Sequence, residues 1–214
     1  MEVELACYDR ISDYDSILSS IFTGTRCTAK CISVPSGLVS KTSFFKEYLD
    51  ISAAVDFPYG LSETSVRIHE IIVSIRKGAS LIDLCINSAD ASEENWEAIR
   101  KDMRACLMAC KDSNVQLRPI IEYRLLSEKI IFPLCGLFVK EGVEYVANAT
   151  GTMADDTLDN VIISNRIQSE TGIKVIACGR IWTPAHFDMF REAGIHSIRL
   201  TSSRLAEEFL RNGV

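Results

Sequence analysis

The sequence predicts an α/β fold, a single-domain (β/α)8 TIM barrel over residues 1–214, and three observations carry that reading. Short β-rich runs alternate with amphipathic helical patterns along the chain. Several runs are almost continuously apolar and β-branched, as parallel strands covered on both faces should be. Eight strand–helix units in 214 residues match a small barrel. A doubly wound open sheet would normally carry a glycine-rich turn after its first strand, and there is none here.

The predicted strands are 3–8, 29–34, 51–57, 81–87, 116–122, 145–150, 173–179 and 197–202. Between them, Ser62 precedes a helix with a stripe of Ile68, Ile71, Ile72 and Ile75, which Gly78 ends. Ser92 is read as opening the next, with Trp96, Ile99, Met103 and Leu107 as its apolar stripe. Ser127 opens another, and Pro133 inside it predicts a kinked or short helix. Thr183-Pro184 is a strong N-cap and first-position pair, and Gly194 closes that helix. Gly142, Gly172 and Gly194 stand just before strands, giving the short loops of a β/α repeat.

Composition narrows the function classes. Hydrophobic residues make up 47% of the chain, enough for a sizeable core, and the net charge is −6. An acidic surface argues against nucleic acid or an anionic membrane as partner. The start of the chain lacks signal-peptide character, and the longest apolar run, near residues 130–139, is broken by Pro133. A soluble, cytoplasmic protein is expected. The eight cysteines then read as reduced thiols. Cys27/Cys31 and Cys106/Cys110 have i,i+4 spacing, but the second pair falls in a helical pattern, where small core hydrophobes fit better than zinc ligands. The histidines form no HxH or HExxH pattern, so no metal or other cofactor is implied.

In a barrel the chemistry sits at the carboxyl ends of the strands. Parity places Asp83, Cys85 and Asn87 on one face of the fourth strand and Ile82, Leu84 and Ile86 on the other. A buried carboxylate on the inner face must serve a ligand or a satisfied polar layer. Glu122 ends the fifth strand at the same face; a salt bridge is the alternative role. Asn148-Ala149-Thr150-Gly151, Cys178-Gly179-Arg180 and Thr201-Ser202-Ser203 end the last three strands. Their glycines, hydroxyls and arginine could cradle a phosphate or simply form turns and caps.

These strand ends resemble the deoxyribose-phosphate aldolase family of class I aldolases. Asp56-Phe57-Pro58-Tyr59-Gly60 followed by Glu63-Thr64 is similar to its G-F-P-x-G…E-T turn, and residues 78–87 to its G-A-D-E-I-D-M-V-I-N strand. Ile120-Ile121-Glu122, Tyr145 to Gly151 and Val175 to Thr183 resemble three further family segments. The similarity runs from about Ala29 to Ser203, is most specific over residues 50–87, and is poor over the first 28 residues.

The family forms an imine between a lysine of the sixth strand and its substrate's carbonyl, with a second lysine on the seventh strand lowering the first one's pKa. Those positions fall on Ala147 and Ile176 here, and neither side chain can supply an amine. Asp83 matches the family's proton-relay carboxylate and Cys31 an active-site position. Thr150, Gly151, Gly179 and Ser202 match phosphate-contacting positions; Arg180 replaces a glycine, and Ser203 follows in the altered Arg199-Leu200-Thr201-Ser202-Ser203 segment. With both lysines gone, Asp83 is expected to pair elsewhere or to be partly protonated.

The resemblance therefore implies a barrel without imine chemistry that binds at most a phosphorylated small molecule. It also implies a homodimer or association with another protein. The alternatives are a relocated lysine (Lys174, Lys140 or Lys30), acid/base chemistry by Asp83 or Glu122, or an inward thiol nucleophile among Cys31, Cys85 and Cys178.

Overall fold

A computed structural model describes residues 1–8, 29–153, 156–179 and 181–201. Eight parallel strands close into one barrel in the order β1 to β8. They are β1 (Glu2–Ala6), β2 (Cys31–Pro35), β3 (Asp50–Val55), β4 (Leu81–Cys85), β5 (Gln116–Ile120), β6 (Tyr145–Ala147), β7 (Lys174–Cys178) and β8 (Ser197–Leu200). β1 pairs with β2 on one side and β8 on the other, so the segment with the poorest family similarity supplies the closing strand.

Seven of the eight strands end before their predicted runs do; β2 instead extends one residue further, to Pro35. The helices among the described residues are α1 (Val39–Thr42), α2 (Thr64–Arg76), α3 (Ser88–Ser92), α4 (Trp96–Lys111), α5 (Glu128–Lys140), α6 (Thr157–Thr171) and α7 (Pro184–Glu192). None is long and apolar enough to cross a membrane.

Two helix expectations change. Ser92 ends the short α3 rather than opening α4, whose cap is Asn95, with its side chain accepting from the Ala98 N–H. Pro133 does not shorten α5, which runs unbroken through it. Thr183 caps α7 as expected, accepting from the His186 N–H, and Gly172 closes α6 with φ of 76°.

The core lies in two places. Between barrel and helices, Ile32, Ile51, Ile82, Leu84, Val146, Val175 and Ile198 point outward from the strands onto Ile71, Met103, Leu134, Phe138, Ile167 and Phe190. Cys106 and Cys110 are buried on the inner face of α4, as small hydrophobes. Inside the barrel the second core splits sharply into an apolar part and a charged part, and that split defines the candidate site.

Candidate functional site

Register places Cys85, Ile120, Ala147 and Ile176 side by side across β4 to β7. All four are buried and form their own apolar cluster, with Phe57 and Tyr145 packed against it. Ala147 and Ile176 are direct partners across β6 and β7, so the two positions that the resemblance assigns to lysines are neighbours in the barrel wall.

One inward step toward the amino end, Asp83 is paired in register with Arg118, while Cys178, Arg199, Glu4 and Cys31 form a row across β7, β8, β1 and β2. Their side chains meet in one buried network. Arg118 donates through Nε to Asp83 Oδ1 at 2.9 Å and through Nη1 to Glu4 Oε1 at 2.8 Å. Arg199 donates through Nε and Nη2 to Glu4 Oε2 at 3.1 and 2.8 Å, and through Nη2 to Asp83 Oδ1 at 3.1 Å. Ser33 and Ser52 donate to Asp83 Oδ2 at 2.5 and 2.7 Å, and Tyr8 donates to Ser33 Oγ at 2.6 Å. Two guanidinium groups thus balance two carboxylates, as burial requires.

This arrangement decides the state of Asp83. Burial alone would raise its pKa, but Arg118 and Arg199, with the two serine hydroxyls, hold the carboxyl well below the usual range. The expectation that it pairs elsewhere describes the geometry; partial protonation does not. The missed partners share one signal. Glu4, Ser33, Ser52, Arg118 and Arg199 are polar residues inside otherwise apolar strands, at the parity that points inward.

The inward thiols change character as well. Cys31 lies 3.6 Å from Arg118 Nη2, yet burial outweighs that charge and pushes its thiol far up. Burial likewise raises Cys85, and takes Cys178 up to about 12. An activated nucleophile needs the opposite shift, a lowered thiol pKa.

At the carboxyl end of β5, Glu122 adopts the left-handed backbone region with φ of 39° and is 7% exposed. Its Oε2 accepts from the Thr150 N–H at 3.0 Å and from Thr150 Oγ1 at 2.5 Å, so two predicted site residues meet. Its Oε1 is buried with no hydrogen-bond partner among the described residues. Gly151 follows with φ of 78°; a Cβ there would fall 2.9 Å from Cys178 Sγ. Beneath this loop Asn148 ties three elements together, donating to Asn160 and Ser164 of α6 and accepting from the Cys178 N–H. Gly179 follows the end of β7. Arg180, Ser202 and Ser203 lie outside the described residues.

The nine lysines, Lys30, Lys41, Lys46, Lys77, Lys101, Lys111, Lys129, Lys140 and Lys174, are all described and all exposed. Lys174 sits at the amino end of β7, with Nζ 3.2 Å from the Tyr145 hydroxyl and 3.7 Å from Glu144. The Tyr145 hydrogen bond raises its pKa, the opposite of what an imine-forming amine needs.

Known proteins can now be set beside this geometry. No protein-family model matches the chain. The deoxyribose-phosphate aldolase of Streptococcus pyogenes is 28% identical over 174 residues, which covers 80% of this chain and 76% of that enzyme. The one from Treponema denticola is 33% identical over 101 residues, covering 47% of each. Among solved structures, an aldolase called QR15 superposes with a TM-score of 0.87 at 20% identity, covering 100% of this chain and 95% of that one. A deoxyribose phosphate aldolase from Aeropyrum pernix, described as a unique tetramer, gives 0.88 at 16% identity over 100% and 91%. The chain is thus similar in sequence to deoxyribose-phosphate aldolases and shares the TIM-barrel fold of the solved aldolases.

Proposed function

We propose that this chain is an aldolase-type barrel that has given up Schiff-base chemistry and keeps at most a phosphosugar-type binding site at its mouth. The observation that carries this reading is the placement of its amines. An imine must form on an uncharged amine inside the barrel, and every lysine of the chain is exposed. The two wall positions that would hold such amines are Ala147 and Ile176, buried in an apolar cluster.

A weak phosphosugar site is supported by the Thr150–Gly151 turn, held in place by Glu122 and by the Asn148 amide network. Backbone N–H groups at the ends of the last strands are where barrels commonly receive phosphate. Association of copies, as in the tetrameric relative, belongs to the same proposal.

A second reading, acid/base chemistry on a phosphorylated sugar or small aldehyde, has one observation in its favour. Glu122 Oε1 is buried without a partner among the described residues, which leaves this carboxylate an open acceptor there. Asp83 does not offer the same capacity, since both its oxygens accept hydrogen bonds from arginine or serine.

Borohydride trapping with deoxyribose 5-phosphate and with acetaldehyde, read by intact mass and peptide mapping, tests the proposal. The expected result is no adduct, with thermal stabilisation by the phosphosugar alone. A stable adduct on any lysine would overturn it. Turnover without an adduct, abolished in Glu122→Gln, would establish the second reading instead.

A further inference from the structure

A helix on the surface of a globular domain turns an apolar stripe inward and a polar one outward. α4 follows that rule, with Glu97, Lys101, Arg104 and Lys111 exposed on its outer side beside one large apolar residue, Met108. α5 breaks it. Its sequence, EKIIFPLCGLFVK, carries charge only at Glu128, Lys129 and Lys140, at the two ends. Ile131, Leu134, Cys135 and Phe138 are buried against the barrel, while the outward middle holds Pro133, Gly136 and Val139 in place of polar side chains. Nothing within the chain asks for glycine at 136, since a Cβ there would meet no neighbouring group within 4 Å.

The apolar surface continues onto α6. Leu158 and Ile162, one turn apart, are 54% and 48% exposed, and Val139 of α5 is 41% exposed. Arg166 ties the two helices side by side. Its guanidinium lies 4.8 Å from the Phe132 ring centre and is ion-paired with Glu128 of α5 and, at 3.0 Å, with Glu170 of α6. Two helices about 20 Å long and about 10 Å apart therefore share one outward face, apolar through its middle and charged at its ends.

The charges at those ends differ in sign between the helices. One arginine, Arg166, is shared between Glu128 and Glu170. That leaves α5 with Lys129 and Lys140, and α6 with Asp159 and a partly compensated Glu170. Lys129, Lys140 and Asp159 have no ion partner among the described residues. Lys129 and Lys140 are 11 residues apart, and so are Asp159 and Glu170. That spacing is close to three turns, so each pair falls on one side of its helix.

We propose that the α5–α6 face is where two copies of this chain meet, about a two-fold axis that runs parallel to both helices. Such an axis lays α5 of one copy along α6 of the other with their amino ends together. Lys129 then faces Asp159 of the partner subunit, and Lys140 faces Glu170 of the partner subunit, around an apolar centre of Pro133, Val139, Leu158 and Ile162. An axis perpendicular to the helices instead lays α5 along α5 and α6 along α6 in opposite directions. It sets Lys129 against Lys140 and Asp159 against Glu170, like charge on like charge. The charge pattern thus selects occupant and symmetry together, because a second copy carries the opposite signs at the spacing this face requires. A face about 20 Å square is at the low end of specific interfaces, so the dimer is a weak one. The inference deepens the association of copies within the proposed function and rests on that part of it alone.

Sedimentation velocity of the whole chain from about 1 to about 300 µM tests it. The parent should pass from monomer to dimer with a Kd of about 10 µM. Ile162→Glu puts a charge into the apolar centre and should weaken the dimer by about 100-fold or more, leaving a monomer across the range. Lys129→Glu should weaken it by about tenfold. Adding Asp159→Lys to that chain should restore the parent Kd to within about threefold. The charge exchange touches no buried side chain, so it keeps the test decisive if circular dichroism shows that Ile162→Glu does not fold. A parent still monomeric at the top concentration would overturn both this inference and the proposed association. A dimer that a folded Ile162→Glu leaves intact would overturn the face alone, with association standing. Tightening by Lys129→Glu, or no restoration in the doubly exchanged chain, would overturn the arrangement about the parallel axis.

Discussion

The two halves of the barrel interior solve opposite problems with the same strands. On β4 to β7 the inward row Cys85–Ile120–Ala147–Ile176 carries no charge and needs no partner. Across β8, β1, β4 and β5, four buried charges neutralise one another through Arg118 and Arg199. A carboxylate such as Asp83 can stay ionised in a barrel core only if cations stand against it. Here arginines do so, and an arginine that is always charged cannot form an imine. The comparison teaches that this interior meets the electrostatic balance a buried acid demands while the wall next to it is purely apolar.

Breaking the charged half should cost most. Asp83→Ala leaves Arg118 and Arg199 short of a counter-ion, and urea unfolding should show a loss of about 3–5 kcal/mol. A loss below about 1 kcal/mol would mean the network is not held as tightly as its distances imply.

Placing an amine in the apolar half sharpens the contrast. Ala147→Lys puts a desolvated lysine beside Ile176 and Cys85, at a packing cost of about 1–3 kcal/mol. Desolvation lowers its pKa below the ordinary value. Borohydride and acetaldehyde should then give an adduct that maps to residue 147, while the parent gives none.

Acid should act on the charged half alone. The folded pKa of Asp83 is depressed, so its contribution is fully present above the unfolded carboxylate value of about 4 and is lost as pH falls below it. Denaturant midpoints measured from pH 6 downward should decline in the parent below about pH 4. They should decline less in Asp83→Asn, whose side chain does not titrate.

The smallest effect belongs to the apolar half. Ile120→Val removes one methylene from a buried row and should cost about 0.5–1.5 kcal/mol by urea unfolding. Its acid profile should match the parent's.

Much of this was legible in the order of residues. Strand parity put Asp83 and Cys85 inside and Ile82 and Leu84 against the helices, because alternation is a local property of an extended chain. Thr183-Pro184 marked the start of α7 for an equally local reason. The partners of Asp83 were not legible. Glu4 and Arg199 are separated by nearly the whole chain and meet only because β1 and β8 close the barrel. Arg67 was hidden in another way: it is buried on α2 one turn before Ile71, at a position outside the predicted stripe of Ile68, Ile71, Ile72 and Ile75.

The sequence by itself determined the barrel, its strand order, the likeness to aldolases and the absence of an amine at residues 147 and 176, since each rests on local pattern or residue type. Only the tertiary structure decided which charges are neutralised, which thiols are buried and where the lysines stand. Those depend on burial and on side chains brought together by closure of the sheet, and spacing along the chain carries neither quantity.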